Sequence, residues 1–430
     1  MPAARRLAAL ALTLAALGLA LAAPAPAASW AGEAYRAGEV VVTPRQGAAR
    51  VVHLGPERSV DAAVRDLRRR SDVEHAAPNP IARASAFLPN DPGDATRSGW
   101  QSLQWNFSGP WGVNAPEAWA LASAAGAPGG RGAVVAVLDT GVAYRSAGRF
   151  VRSPDFTARD FVRGHDFVDE DPFPDDTNGH GTHVASTVGE ATDNSVGVTG
   201  LAYGARIMPV RVLDSIGEGD AAEIARGVRY AARRGADVIN LSLEFSPDIT
   251  ATDIPELLDA IADARRAGSV VVGASGNEGY RTVAWPARAG RVLSVGATTE
   301  RGCLSDFSNE GRGLDIVAPG GGQDADADED PRCQPEVVGR PIYQLTFSGS
   351  VRRFGFPDSY EGTSMAAPHV SAVAALVIAT GAVGRDPSPA AVEARLKATA
   401  RDLGAPGYDT RFGAGLLDAA AALRGATSSG

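Results

Sequence analysis

The chain has 430 residues, 44% of them hydrophobic, which is enough for one large core or two modest ones. Its formal net charge is −9, so the chain lacks the excess of basic residues that is typical of nucleic-acid-binding proteins. Nucleic acid is therefore not an expected partner.

Residues 1–28 have the order of a secretory signal peptide. A short basic start, MPAARR, precedes the apolar run LAALALTLAALGLALAA and then small residues with the spacing of a cleavage site. A membrane anchor is the alternative, but an anchor needs a longer apolar run and different flanks. No later segment is apolar over a length that spans a bilayer, so we expect secretion to the periplasm or the exterior and no membrane contact afterwards.

Residues 29–88 are predicted to form a small, separate unit. GEVVVTPR has the composition of a strand, SVDAAVRDLRRRSD the periodicity of an amphipathic helix, and VEHAAPNPIARA the composition of an extended segment. A connector that is dense in turn residues, PNDPGDATRSG, follows this unit. The second predicted domain comprises residues 89–430.

From about Gln104 onward, predicted strands alternate with predicted helices. The runs GAVVAVLDTG, ARIMPVRVLD, ADVINLSLE, SVVVGASGN, RVLSVGATT and LDIVAPG are short, β-branched and end in turn residues. Between them, DAAEIARGVRYAARRG and DIPELLDAIADARRAG are apolar at three- and four-residue spacing and stop at glycine. This alternation predicts an α/β fold with a doubly wound, mostly parallel sheet and helices on both faces. Ligands of such sheets bind at the carboxyl ends of the strands.

Polar residues follow the predicted strands and open two helices. Asp139, Ser242 and Asn277 lie at strand ends, whereas His180 and Ser364 lie in the first turns of helices. A serine hydroxyl is a poor nucleophile until a base takes its proton, and the base needs a third group that fixes its tautomer. Asp139, His180 and Ser364 can supply these three roles at one edge of the sheet. The Asn277 carboxamide and the Ser364 N–H are suitable donors to an oxyanion.

Two histidines three residues apart, His180 and His183, are also compatible with a metal site. No glutamate lies between them and no third nitrogen ligand follows, as a zinc protease of the HExxH type would require. With His180 as the base, we expect His183 to be a packed residue with a hydrogen-bonded ring.

Pro368 is expected to be tolerated because it lies early in its helix, where backbone N–H groups have no intrahelical partner.

Four blocks carry a resemblance to a known family. AVLDTGV, NGHGTHVAS, GASGN and EGTSMAAPHV are similar, in the same order, to the aspartate, histidine, asparagine and serine blocks of the subtilisin-like serine proteases. The resemblance begins at PNDP, residues 89–92, and ends at RFGAGLLDAAAAL. It implies a subtilisin-like fold and a monomeric serine endopeptidase that cleaves proteins or peptides through an acyl-enzyme on Ser364. It also implies that the substrate is contacted by Ser242, Leu243, Glu244 and Gly276.

The small amino-terminal unit resembles the prosegment of this family. That resemblance implies a transient inhibitor and folding chaperone that the enzyme itself removes, with cleavage between about Ala86 and Ser108. A permanent domain is the alternative.

The resemblance to thermitase-like members also implies bound calcium. The loop GHDFVDEDPFPDDTNGH is dense in hard oxygen ligands, which suit calcium. The implied ligands are Asp166, Asp171 and Asp175, with Asp169 close by, and a solvated acidic loop is the alternative. A second implied site, in the turn after the histidine helix, is formed by the side chains of Asp91, Asp155 and Asn194 and the carbonyls of Ala191, Val196 and Val198.

Three features depart from the family pattern. Glu244 stands where most relatives have glycine, and we expect it to narrow the P1 pocket and to favour arginine or lysine there; a side chain that points into solvent is the alternative. Ser186 replaces a usual glycine and is expected to need only a packing adjustment. Residues 319–360 are longer than in compact relatives and are expected to border the substrate cleft, with the DADADED run solvated.

The two cysteines, Cys303 and Cys333, are expected to form a disulfide, because in an exported protein such a pair more often bridges than stays free. The bridge would tie the long segment to the edge of the sheet.

Two other classes of protein compete with a subtilisin-like peptidase. An inactive binding protein with this fold is disfavoured because the triad and oxyanion residues are all present. An α/β-hydrolase esterase would need a G-x-S-x-G motif and the order Ser, Asp, His, and the chain has neither.

Overall fold

The computed structural model of the protein describes residues 35–55, 58–80, 87–94, 99–326 and 330–425. The predicted signal peptide, residues 1–28, lies outside the described residues. The chain divides into two compact units, residues 1–84 and 85–430. This division falls four residues before the predicted domain boundary between residues 88 and 89.

The first unit is a three-stranded antiparallel sheet with one helix. Its elements are β1 (Tyr35–Pro44), β2 (Arg50–His53), α1 (Val60–Arg68) and β3 (Val73–Pro80), and the strand order is β2-β1-β3. The Ser59 side chain caps α1 by accepting a hydrogen bond from the Ala62 N–H. The sequence predicted β1, α1 and the extended segment that forms β3. It gave no signal for β2, which is four residues long and mostly exposed.

The second unit contains the remaining elements. In chain order they are α2 (Trp100–Leu103), α3 (Trp105–Ser108), α4 (Ala115–Ala124), β4 (Val134–Asp139), β5 (His165–Asp166), α5 (His180–Gly189), β6 (Arg206–Arg211), α6 (Ala221–Arg233), β7 (Val238–Leu241), α7 (Pro255–Arg266), β8 (Val270–Ala274), β9 (Leu293–Thr298), β10 (Ile316–Pro319), β11 (Thr346–Ser350), β12 (Arg353–Gly355), α8 (Thr363–Thr380), α9 (Pro389–Ala398) and α10 (Ala419–Leu423). Helices α4 and α9 were not predicted, because apolar and polar residues are spread around both of them.

Seven strands form a parallel sheet in the order β10-β9-β8-β7-β4-β6-β5. Strand β4 is the switch point: β6 and β5 lie on one side of it, whereas β7 to β10 extend the sheet on the other side. A crevice opens at the carboxyl end of such a strand because the connections on its two sides diverge. Asp139 is the last residue of β4. The predicted α/β class, with a doubly wound parallel sheet, is confirmed.

Both faces of this sheet are covered by helices, as the residues of β4 illustrate. Val135 and Val137 belong to the core that contains α5 and α8, whereas Ala136 and Leu138 belong to the core with α6 and α7. All four are fully buried, which explains why the strands are continuous apolar runs. Among the described residues, α8 is the one helix with the length and hydropathy of a membrane span, and most of it is buried inside the protein.

The predicted disulfide between Cys303 and Cys333 is present. Cys303 is 1% exposed and follows β9, while Cys333 lies in the long segment at residues 319–360. The same segment continues into the antiparallel hairpin β11–β12. The bridge therefore joins the long segment to the turn after β9, as expected.

Replacing both cysteines with alanine is expected to lower the free energy of unfolding by about 3–4 kcal/mol. The bridge closes a loop with a sequence separation of 30 residues, and in the chain-entropy model a loop of about this size gives that stabilisation. Urea unfolding of the double variant in an inactive Ser364→Ala background measures the loss. Reduction of the parent protein should reproduce it, and equal stabilities of the bridged and unbridged proteins would refute the prediction.

Candidate active site

Asp139 and His180 form a hydrogen-bonded pair at the switch point. Asp139 is fully buried, and its Oδ1 accepts a hydrogen bond from His180 Nδ1 at 2.7 Å and from the Thr140 N–H at 2.8 Å. Its Oδ2 has no hydrogen-bond partner among the described residues. Because the carboxylate accepts from Nδ1, it holds the proton on that nitrogen and leaves Nε2 as the nitrogen that can accept one.

The pKa of His180 is raised above its ordinary value. Burial lowers the pKa, but the charge of Asp139 and its hydrogen bond to the ring outweigh burial, and the charge of Asp176 adds to them. A base works only when it is neutral, so this histidine functions above its raised pKa. Its function is lost as the pH falls through that value.

Asp176 organises the turn that precedes His180. The carboxyl group is 1% exposed and accepts hydrogen bonds from the N–H groups of Asn178 (2.8 Å), Gly179 (2.9 Å) and Thr182 (3.0 Å). It thereby satisfies the amides at the start of α5, which lack intrahelical acceptors. Asp176 carried no predicted role, because it lies three residues before the N-cap position, Gly179, and the local capping pattern does not extend that far.

Ser364 is the second residue of α8 and is half-buried. Its Oγ donates a hydrogen bond to the Ser242 carbonyl at 3.2 Å, and the Ser242 Oγ donates to the Ser364 carbonyl at 2.8 Å. The Ser364 N–H belongs to the first turn of α8, where the helix itself provides no acceptor. Ser242, predicted as a substrate contact, therefore also holds Ser364 in place.

Pro368 explains why the Ser364 carbonyl is available to Ser242. Helix α8 begins at Thr363, so Pro368 is its sixth residue, and the expectation that a backbone N–H at this position would lack an intrahelical partner was wrong. An ordinary residue at this position would donate its N–H to the Ser364 carbonyl, four residues earlier. Proline has no N–H, and the Ser242 hydroxyl replaces that donor.

Asn277 lies three residues after β8, and its carboxamide is held at both ends. Oδ1 accepts hydrogen bonds from the Thr363 N–H at 2.8 Å and the Thr363 Oγ1 at 3.1 Å. Nδ2 donates to Glu244 Oε1 at 3.0 Å. Thr363, which the sequence analysis did not single out, thus couples Asn277 to the first turn of the serine helix.

Glu244 turns its carboxylate toward Asn277 and not into open solvent. The side chain is half-buried, and its Oε2 is buried without a hydrogen-bond partner among the described residues. Burial and the charge of Glu278 raise the pKa of Glu244, against the hydrogen bonds from Asn277. Gly276 is required beside it: its φ is +112°, and an added Cβ would lie 2.7 Å from Glu244 Oε2. The neighbouring Leu243 is 7% exposed and packs in the core.

His183 is a packed residue. It is fully buried, its Nε2 lies 2.9 Å from the Ile342 carbonyl, and its ring stacks on Tyr360 with centroids 4.2 Å apart. Burial lowers the pKa of His183 to about 3, so the ring is neutral. Only one nitrogen is bonded, since Nδ1 has no partner among the described residues. The expectation of a hydrogen-bonded ring therefore holds for Nε2 alone.

The long segment at residues 319–360 contacts the turn of the catalytic histidine. The Thr346 Oγ1, in β11, donates to the Gly179 carbonyl at 2.6 Å, and Tyr360 stacks on His183. Ser186, in place of the usual glycine, is fully buried and donates to the Leu345 carbonyl at 3.2 Å. The segment therefore packs directly beside the residue that precedes His180.

Two arginines from outside the acidic loop pair with its carboxylates. Arg211 donates to Asp166 at 2.8 Å and to Asp169 at 2.6 Å, and Arg145 forms a two-pronged pair with Asp175. Two of the three implied calcium ligands are thus paired with guanidinium groups. Asp171, the third, accepts a hydrogen bond from the Phe173 N–H at 2.7 Å. These contacts favour an ion-paired loop over a metal site.

The second implied calcium site differs from the acidic loop, because no arginine pairs with Asp155 among the described contacts. Asp155 is fully buried, and among the described residues its carboxylate oxygens accept from Asn194 Nδ2 at 2.7 Å and from the Val198 N–H at 3.0 Å. Asp91 is 3% exposed and accepts from the Asp193 and Asn194 N–H groups. Burial raises the pKa of Asp155 to about 8, which reflects a carboxylate without a neutralising cation.

Glu190 adds a further buried carboxyl group next to this second site, and the sequence analysis did not single it out. It is fully buried, and neither carboxylate oxygen has a hydrogen-bond partner among the described residues. Its pKa is raised by burial and by the charges of Asp155 and Asp91, against smaller lowering contributions from the nearby Ser186 hydroxyl and the Leu345 backbone. Within the described residues, no three His, Cys, Asp or Glu side chains converge on one metal position. A cation here would therefore need the Asn194 amide oxygen and backbone carbonyls as well.

A buried aspartate bonded to a half-buried histidine at the end of β4, and a serine at a helix amino terminus bonded to the residue that follows β7, are the groups of a serine hydrolase. Comparison with known proteins specifies the family. Residues 130–415 match the subtilase family, Peptidase S8. The chain therefore belongs to the subtilases, and it is a serine endopeptidase.

Individual relatives agree with this assignment. The chain is 39% identical to subtilisin Savinase of Lederbergia lenta over 317 residues, 73% of this chain and 98% of that protein. It is 36% identical to thermitase of Thermoactinomyces vulgaris over 295 residues, 69% of this chain and 87% of that one. A solved structure described as proteases from Pseudoalteromonas arctica PAMC 21717 matches with a TM-score of 0.62 and 31% identity, covering 79% of this chain and all of that one.

Proposed function

We propose that this chain is an exported, monomeric subtilase that cleaves peptide bonds of proteins through an acyl-enzyme on Ser364. The observation that carries the proposal is the 2.7 Å hydrogen bond between buried Asp139 and His180 at the sheet edge where α8 begins. Ser364 Oγ attacks the scissile carbonyl carbon while its proton moves to His180 Nε2. The carbonyl oxygen becomes an oxyanion, to which Asn277 Nδ2 and the Ser364 N–H donate hydrogen bonds.

The remaining steps reuse the same groups. When the tetrahedral intermediate collapses, the C–N bond breaks and the proton on His180 Nε2 passes to the leaving amine. A water molecule then gives a proton to Nε2 while its oxygen attacks the ester carbonyl. When the bond from the acyl carbon to Ser364 Oγ breaks, this proton passes to Oγ, and the acid product leaves. A hydroxyl donates one hydrogen, so Ser364 Oγ must release the Ser242 carbonyl before His180 can take its proton.

A fluorophosphonate probe tests the proposed nucleophile directly. We expect stoichiometric labelling of the peptide that contains Ser364, with parallel loss of peptidase activity, because the phosphonyl group reports on a serine activated by a base. Labelling should disappear in His180→Ala and persist in Ser102→Ala, a variant of an exposed serine in α2. A labelled protein whose modified residue is not Ser364 would overturn the proposal.

The amino-terminal unit is proposed to be a prosegment that inhibits the enzyme until the enzyme cleaves it. Packing after Pro89 supports a cut near the amino-terminal end of the expected window, residues 86–108. Trp100 is fully buried and donates to the Pro89 carbonyl, and Asp91 is 3% exposed, so a cut after Pro89 would sever packed chain. We therefore expect the mature chain to begin no later than Pro89.

Processing is expected to depend on the enzyme's own activity. The Ser364→Ala protein, expressed alone, should accumulate as a precursor that retains residues 35–80, whereas the parent protein should be shortened. Amino-terminal sequencing of secreted material reads both the signal-peptide cut and the maturation cut. A mature amino terminus in the inactive variant would show that another protease performs the cleavage.

Calcium is proposed to bind at the Asp155 site as a structural ion that takes no part in the chemistry. The support is the cluster of Asp155, Asp91 and Glu190, buried carboxyl groups with which no arginine of the described part of the chain pairs. Asp155, Asp91 and Asn194 would supply the side-chain ligands.

Removing calcium is expected to lower the melting temperature of the Ser364→Ala protein. An ion that binds only the folded state stabilises it by about 2.7 kcal/mol at a hundredfold excess over its Kd. Thermal unfolding in metal-free buffer with and without added calcium measures the effect. Asp155→Asn should abolish the response and Asp171→Asn, in the acidic loop, should retain it. The reverse pattern would place the ion in the acidic loop.

A further inference from the structure

Glu244 occupies a position from which it can act on the oxyanion site. Its Oε1 accepts one hydrogen of Asn277 Nδ2 at 3.0 Å, while Thr363 fixes Asn277 Oδ1 from the other side. The carboxamide therefore cannot turn without breaking one of these contacts. The second hydrogen of Nδ2 remains for the substrate oxyanion, so a carboxylate and an oxyanion would share one donor group.

This arrangement opposes catalysis when Glu244 is ionised. The substrate carbonyl is neutral in the ground state and becomes negative in the transition state, so a nearby negative charge raises the barrier without weakening substrate binding to the same degree. The carboxylate is poorly compensated, since its Oε2 is buried without a hydrogen-bond partner among the described residues. Burial and Glu278 raise its pKa, and the contributions that lower it come only from Asn277.

A pocket lies beside this pair. It has a volume of about 350 Å³ and begins at the residues that directly follow Glu244 and Asn277, namely Phe245 and Glu278. Apolar residues such as Trp285 line it together with polar ones, and its two arginines have other partners, since Arg281 lies 3.5 Å from Glu310 and Arg288 lies over the Trp285 ring. A long aliphatic side chain with a cationic tip fits this chemistry, because the stem packs on the apolar residues and the tip reaches Glu278, whose charge acts on Glu244.

We propose that Glu244 is a positioning residue that couples the oxyanion donor Asn277 to the charge of the substrate side chain in this pocket, so that peptides with arginine or lysine at P1 are turned over faster. A guanidinium or ammonium group at the pocket mouth neutralises Glu244 and removes the charge that opposes the oxyanion. The advantage therefore appears in kcat, whereas an ordinary specificity contact would appear mainly in KM. The inference rests on the proposed roles of Ser364 and Asn277.

The test compares two peptide substrates that differ only at P1, one with arginine and one with citrulline, its neutral isostere. In the parent enzyme, kcat for the arginine peptide should exceed that for the citrulline peptide by about five- to tenfold. In Glu244→Gln, which keeps an acceptor for Asn277 Nδ2 but removes the charge, the ratio should fall to about one because kcat for citrulline rises. Glu244→Ala should show the same loss of the ratio and covers the case in which the glutamine variant folds poorly.

Two further variants separate positioning from a general effect of charge. Glu278→Gln, whose parent carboxylate bonds to Asn309 and not to Asn277, should raise KM for the arginine peptide and leave the kcat ratio intact. In an Asn277→Ala background, Glu244→Gln should no longer change kcat, because the group through which Glu244 acts is absent.

Three outcomes would overturn the inference. An unchanged kcat ratio in Glu244→Gln would do so and would leave the proposed function standing. A ratio lost equally in Glu278→Gln would show a field effect that does not pass through Asn277, and a ratio that resides wholly in KM would show an ordinary binding contact. A parent enzyme without peptidase activity would refute the proposed function and the inference together.

Discussion

Replacing Ser364 with alanine is expected to lower kcat for peptide hydrolysis by about 10⁴- to 10⁶-fold, the range observed when a triad serine is removed. The remaining donors and the binding cleft stay in place, but no acyl-enzyme can form. The variant also loses the hydrogen bond from Ser364 Oγ to the Ser242 carbonyl, which costs about 1 kcal/mol of stability. The protein should therefore remain folded with a slightly lower melting temperature.

Turnover of a chromogenic peptide and thermal unfolding are the two measurements for this variant. Ser102→Ala removes an exposed hydroxyl on α2 and serves as the matched control, with parental activity and stability. Activity in Ser364→Ala within tenfold of the control would exclude Ser364 as the nucleophile. A collapse of the folded state would instead show that the pair formed with Ser242 is structural.

Replacing Asp139 with asparagine is the second large effect, a fall in kcat of about 10⁴-fold. The isosteric amide can hold the His180 ring, but it offers an N–H where the ring needs an acceptor, so the wrong nitrogen carries the proton. The pKa of His180 should change as well. Asp139 raises it by its charge and its hydrogen bond, so removal of both lowers it.

The pH profile gives this prediction a distinct signature. Parental kcat/KM is lost as the pH falls through the raised pKa of His180, because protonation removes the base. In Asp139→Asn the plateau should be about 10⁴-fold lower and the acid limb should move to lower pH. Asp259→Asn, an exposed residue of α7, should change neither. A lowered plateau with the acid limb unmoved would mean that Asp139 does not set the ionisation of His180.

For the two predicted calcium sites, the amino-acid composition and the tertiary structure favour different loops. The sequence predicted two sites from acidic density and from resemblance, and in composition the loop with Asp166 and Asp175 is the stronger. The fold places Arg211 and Arg145 against that loop, whereas no arginine pairs with Asp155 among the described contacts. Arg211 is 45 residues from Asp166 in sequence, so the pairing depends on the register between β5 and β6.

The reactive residues of the active site were accessible to sequence analysis for a physical reason. Buried parallel strands are continuous apolar runs, and their carboxyl ends meet at one edge, so the polar residues that end them are brought together in almost any order of strands. Asp139 and Asn277 were identified in this way. His180 and Ser364 were identified because glycine-flanked helix starts are local signals.

What the sequence by itself determined was therefore the α/β class, six strands of the parallel sheet, helices α5 to α8, the reactive groups and the disulfide partners. The tertiary structure alone decided the strand order that makes β4 the switch point, the bond of Asn277 to Glu244, and the exchange by which Ser242 replaces the missing donor of Pro368. The two residues of each of the last two contacts are 33 and 122 positions apart in the sequence. Local patterns encode backbone periodicity and burial, which act within a few residues, whereas a side-chain hydrogen bond needs a distance and an angle that only the packing of remote segments sets.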